Sequence, residues 1–163
     1  MPTEAQVLAH VMDRTRQYTH FYFDRLKDQD LHRKFVCEGK ELNSAFWLLA
    51  HLATTENGLL LHATGGPFTK FSWAKFFTIG GPGLPPEQCP PFAEVFDMFN
   101  AVHAKVMTHL PTLSAEALEA PNTTGLAALG NTVRDVITHA IRHEGSHTGH
   151  LGWLCKLYGI RTM

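Results

Sequence analysis

The sequence lacks an excess of charge of either sign: 14 basic side chains stand against 15 acidic ones in 163 residues. A near-neutral total carries no electrostatic footprint for nucleic acid or an anionic membrane surface, so neither is an expected partner. Cysteine is scarce and odd in number. Cys37, Cys89 and Cys155 share no CxxC spacing, which argues against a disulfide framework and for reduced thiols in a cytoplasmic protein. Long apolar runs are missing as well, with no stretch of about 18 uninterrupted apolar residues. The N-terminus shows no basic region followed by an apolar run, the mark of an export signal. No segment alternates like a strand.

Helical periodicity fills this space. Thr3 and Gln6 have capping-box spacing, and Val7, Val11, Thr15, Tyr18, Tyr22 and Leu26 follow at intervals of three or four, which predicts a helix of about seven turns. Asn43 can cap a second helix through Phe46, Trp47, His51 and Leu52 to Leu61, stopped by Gly65-Gly66-Pro67. Pro90-Pro91 opens a third, with Phe92, Val95, Phe99, Val102, Val106 and Leu110 in one stripe before Pro111. Thr132 and Asp135 precede a fourth that carries Val136, Ala140, His143, His147, Leu151, Leu154 and Tyr158, with Gly159 as its stop. Four amphipathic helices in a chain long enough for one core predict an all-α, single-domain four-helix bundle over residues 1–163. Residues 65–91 are too long for an ordinary bundle connection and hold Phe68, Phe71, Trp73, Phe76 and Phe77. They form either a lid or an ordered crossover between helices 2 and 3.

The last helix contains "RHEGSHTGHLGWL", hence HExxH. At about 100° per residue, His143 lies roughly 40° from His147 and one turn below it, within the apolar stripe. Two neighbouring inward histidines are costly unless something satisfies their nitrogens, and the i, i+4 spacing matches chelation of one metal ion. His139 and His150 lie roughly 60 to 80° round the helix from His147, at the stripe's edge.

A zincin protease needs a third ligand downstream, and that too is missing. His150 and Trp153 occupy the positions that the longer HExxHxxGxxH motif gives to glycine and histidine, and residues 148–163 contain no Asp or Glu. The third ligand must come from upstream. His51 is the best candidate, in mid-helix 2 on a face shared with Ser44, Trp47, Leu48, Thr55 and Gly58. His62, eleven residues further on, lies roughly 16 Å along the axis and cannot join the same ion. Glu144 projects roughly 60° from His147 and could serve there as a proton acceptor, though an exposed or structural role fits its position equally. Gly145, Gly149 and Gly152 lie opposite the histidines and suggest close approach of another helix, within the subunit or across a dimer interface.

Together "NSAFWLLAHL" and "HEGSHTGHLGWLCKLYG" resemble the DinB-like family of metal-binding four-helix proteins, whose final helix has the form HExxHxGQ. His150 departs from that pattern where members often carry glutamine. The resemblance runs nearly end to end and implies a divalent-metal site on His51, His143 and His147, often within a homodimer. Zinc and nickel are the foremost metals, although three-histidine sites also accept cobalt, copper or iron. Some relatives are S-transferases using a low-molecular-weight thiol, others isomerise a small acid with such a thiol. The leading expectation is therefore metal-dependent transfer of a thiol onto a small-molecule electrophile. The alternatives are hydrolysis of a small substrate by metal-activated water, with Glu144 as proton acceptor, and metal or small-molecule binding without catalysis.

Overall fold

A computed structural model describes residues 1–162. It is all-α apart from one small hairpin. Helix α1 spans Glu4–Leu26, and the Thr3–Gln6 capping box closes its N-terminus as expected. Strands β1 (Val36–Cys37) and β2 (Lys40–Glu41) pair antiparallel, joined by Glu38 and Gly39, both at positive φ as a tight hairpin turn requires. Helix α2 spans Ala45–Glu56 and is capped by Ser44, one residue beyond the expected Asn43. It continues as a π-helical turn, Asn57–Leu61, and a 3₁₀ turn, His62–Thr64. Gly65, at φ 75°, ends it because a left-handed residue cannot extend a right-handed helix. Helix α3 runs over Phe92–His109, the five-residue α4 over Ala115–Glu119, and α5 over Val133–Leu157.

The four long helices form a ring in which α1 packs on α5 and α3, and α2 on α3 and α5. Their directions follow from two apolar clusters. One gathers Tyr22, Phe23 and Leu26 of α1 with Phe46 to Leu52, Phe99, Leu151 and Leu154. The other gathers Ala5, Ala9 and Met12 with Leu60, Leu61, Val102, Val106, Ile137 and Ala140. Helices α1 and α5 thus run one way, and α2 and α3 the other. Because α2 and α3 are parallel, the chain between them must return along the bundle, which accounts for the length of residues 65–91. Trp73 and Phe77 anchor that return in the first cluster at 5% and 1% exposure.

The α1 stripe is corrected by this packing. Tyr22 and Leu26 are buried, but Val7, Val11 and Tyr18 are 43 to 51% exposed. The inner face is Ala5, Ala9, Met12, Arg16, Thr19, Phe23 and Leu26, because a buried charge network turns it inward. Arg16 Nε and Nη2 donate to Glu144 at 2.6 and 2.8 Å, and Nη2 also reaches Glu56 at 2.5 Å. Its Nη1 donates to the Phe99 carbonyl, 3.1 Å away. His103 extends the network, its ring nitrogens 2.7 Å from Glu56 and 3.2 Å from Asp13. This polar layer lies between the two apolar clusters.

At the start of α5 the Thr132 side chain accepts from the Asp135 N–H, and Asp135 accepts from the Thr132 N–H. Thr132→Ala should lower the unfolding free energy by about 1 kcal/mol, measured by urea titration. Loss of under a few tenths would mean that this cap contributes nothing.

Candidate metal centre

Helix α2 places His51 one turn after Trp47, and the indole stacks on the imidazole with ring centres 4.5 Å apart. His51 is 3% exposed. Its Nδ1 lies 2.7 Å from the carbonyl oxygen of Phe77, an acceptor only, so Nδ1 carries the proton and Nε2 presents a lone pair. Phe77 could not be assigned this role from sequence, since it acts through its backbone. The crossover brings that carbonyl to the ligand candidate and holds its ring in place.

Helix α5 supplies the other two nitrogens. His143 Nε2 lies 3.0 Å from His51 Nε2 and 3.1 Å from His147 Nε2. All three ligand atoms fall within 4.8 Å of one another. The trio expected from sequence is thus brought together, although His143 and His147 sit at the edge of the buried α5 face. The centre of that face is Val136, Ala140, Glu144, Thr148 and Leu151.

The donor set fits a cation better than it fits protons. With His51 Nε2 unprotonated, a single proton on His143 Nε2 or His147 Nε2 can point at only one neighbouring lone pair. One of the two short N···N contacts therefore stays unsatisfied in a neutral trio. Bonds of about 2.0–2.1 Å to a single ion place neighbouring nitrogens about 2.9–3.4 Å apart, depending on coordination geometry, and the two short spacings here fall in that range. Burial first, and then the charge that each imidazole would impose on the others, lower the pKa of His143 to about 4 and of His147 to about 3. Burial also lowers that of His51. At neutral pH the three rings are uncharged and can act as ligands.

A pH dependence follows, with a definite sign. For His143 and His147 the folded pKa lies below the ordinary 6.5, so the unfolded chain takes up protons first as pH falls. Stability of the metal-free protein should be full above pH 6.5 and decline steadily toward pH 4. Thermal unfolding of wild type and His147→Gln across this range checks it: the variant's profile should be flatter, and identical slopes would remove the histidines as the cause.

The surrounding histidines separate by role. His150 Nδ1 lies 3.2 Å from His147 Nδ1, so it can hold the nitrogen of His147 that faces away from the trio. His139 stacks on His143 with ring centres 5.9 Å apart. His62 packs against Phe68, outside the trio. Glu144, considered as a proton acceptor, is placed otherwise. It is 2% exposed, with one oxygen accepting from Arg16 and Thr19 and the other from Arg16. Burial opposes its charge, but the Arg16 guanidinium outweighs burial and holds the carboxyl below its ordinary range. A carboxylate so engaged is a poor base.

Of the three glycines, only Gly152 meets a neighbouring helix, where an added Cβ would lie 3.2 Å from the Tyr22 ring. Gly149 faces open space, and so almost does Gly145. Beside the trio opens a cavity of about 640 Å³, reached by His51, His139 and His143 and walled by residues of α2, the crossover and the approach to α5. Its size is that of a small-molecule site. No helix among the described residues is long and apolar enough to cross a membrane.

Comparison with curated proteins and with solved structures found no match. The sequence model of the DinB superfamily, in contrast, matches residues 11–151, and with the all-α fold and three close histidines just described, the chain belongs to that superfamily.

Proposed function

We propose that the protein binds a divalent metal, zinc or nickel foremost, on His51, His143 and His147 and uses it to join a low-molecular-weight thiol to a small electrophile. The observation that carries this reading is the convergence of three uncharged imidazole nitrogens on one point beside an apolar cavity. When bound, the ion supplies positive charge that lowers the pKa of a thiol and so raises the fraction of the nucleophilic form. The chain's own residues do the rest. Phe77 and Trp47 hold the His51 ring, His150 holds His147, and the apolar cavity wall gives the electrophile a surface to pack on. With Glu144 committed to Arg16, a hydrolytic reading has no general base among the residues it named.

The test is elemental analysis of the purified protein, followed by turnover of monochlorobimane with cysteine, glutathione and coenzyme A. Conjugation should require at least one of these thiols, cease with chelator and return with zinc or nickel. Metal binding without any thiol-dependent turnover would favour a non-catalytic binding protein, and chelator-insensitive conjugation would overturn the reading outright.

A homodimer through the outer face of α1 and α5 belongs to the same proposal. Val11, Tyr18 and Gly145 line a surface groove there, and the open Gly149 leaves room for a second backbone. Wild type should sediment as a dimer and Gly149→Trp as a monomer of unchanged helicity. A dimer that survives this substitution would place the interface elsewhere.

A further inference from the structure

The cavity beside the histidines has a chemical character of its own. Its walls include Leu59, Phe71 and Leu129, and at its rim Phe68, Ile79 and Leu126 are 43%, 86% and 50% exposed. Three large apolar side chains left in water around one opening form a patch that a ligand would cover. The charges that line it are of one sign. Lys70 and Lys75, both exposed, stand on the crossover, and among the described residues no aspartate or glutamate lines the cavity. The Lys75 ammonium sits 4.9 Å from the centre of the Phe76 ring.

The cavity is also built in advance. Asn57 donates to the Thr69 carbonyl at 2.7 Å and accepts from the Thr69 N–H at 3.1 Å, stapling the crossover to the end of α2. The π-helical turn that begins at Asn57 inserts one extra residue per turn, and its Gly58 and Leu59 line the cavity. A site already formed loses little ordering entropy when it is filled.

We infer that this cavity takes an apolar molecule bearing a carboxylate, with the carboxylate held at the rim by Lys70 and Lys75 and the apolar body extending toward His51 and His143. This names the substrate class for the transfer proposed above and rests on that reading for its catalytic meaning, but the binding itself needs no metal. A cationic ligand of the same shape finds two like charges and no counter-charge. A neutral one keeps the apolar contacts and loses the ion pairs.

The experiment is calorimetric titration of the metal-free, full-length protein with 4-phenylbutyrate, 4-phenylbutyramide and 4-phenylbutylamine. The carboxylate should bind about five- to tenfold more tightly than the amide, the size expected of two solvent-exposed pairs, with the amine weakest. The preference should shrink with added salt. In a Lys70→Gln, Lys75→Gln double variant, carboxylate and amide should bind alike while the amide's affinity stays as in wild type. Leu59→Trp, which enlarges a side chain on the cavity wall, should weaken all three ligands, and circular dichroism shows whether each variant is folded. Absence of binding by all three ligands, equal binding of carboxylate and amide by wild type, a preference that outlives the lysines, or indifference to Leu59→Trp in a folded protein would each overturn the inference. Because no metal is present, these outcomes are independent of thiol transfer. Chelator-sensitive turnover of neutral electrophiles with no carboxylate preference would keep the proposed function and sink this inference alone.

Discussion

Arg16→Met should unfold at a markedly lower urea concentration than wild type, with a loss of about 3–5 kcal/mol. Arg16 is 1% exposed and pairs with Glu56 and Glu144, whose side chains are each 2% exposed. Removing the guanidinium leaves two buried carboxylates facing each other with no cation between them. The loss compares with a total stability of about 5–15 kcal/mol for an ordinary domain, so the variant should populate unfolded chain at physiological temperature. The triple variant Arg16→Met, Glu56→Gln, Glu144→Gln should recover part of the loss, because uncharged amides are far less costly to bury than unpaired charges. If Arg16→Met alone costs under about 1 kcal/mol, the figure for an exposed pair, then the buried network contributes little to stability.

The second large effect concerns the metal. Replacing a residue that only orients a ligand typically costs about 10–100-fold in metal affinity, so His143→Ala, which removes one of the three grouped nitrogens proposed to bind the ion, should cost more than about 100-fold. Free zinc or nickel at about a thousand times its dissociation constant should raise wild-type stability by about 4 kcal/mol and leave the variant almost unmoved. Competition with a chromogenic chelator and thermal unfolding with and without metal measure the two quantities. His51→Ala should behave alike, although His51 lies on a different helix. His139→Ala should keep most of the affinity, since His139 is not among the three grouped nitrogens. Unaltered affinity in His143→Ala would dissolve the metal site.

Much of the helix pattern is legible along the chain. The Thr3–Gln6 and Thr132–Asp135 boxes mark the starts of α1 and α5, Gly65 the end of the turns that continue α2, and Gly159 the end of α5, all through local backbone chemistry. The histidine pair is legible for a similar reason, since an i, i+4 spacing puts two rings together wherever the helix is placed. His51 could be chosen because the downstream ligand positions were empty and its place in mid-helix allowed the three to meet.

The inner face of α1 was not legible. Apolar periodicity selects Val7, Val11 and Tyr18, whereas the buried face contains Arg16, a residue no hydrophobic pattern assigns to a core. Arg16 can be buried only because Glu56 and Glu144 arrive from two other helices, and that meeting is a property of three helices at once. The same packing decided Glu144, which sits in HExxH beside His143 yet belongs to the polar layer of the core.

Taken alone, the amino-acid sequence determined an all-α chain, its main helix boundaries and a histidine pair able to hold a metal, because hydrogen bonds and side-chain spacing within one helix set these. Tertiary structure alone decided which side of α1 faces inward, that Glu144 belongs to the core, and that the Phe77 carbonyl, 26 residues from His51, orients that ring. Those outcomes depend on which surfaces of different helices can bury each other's apolar and charged groups together, and no single helix carries that information.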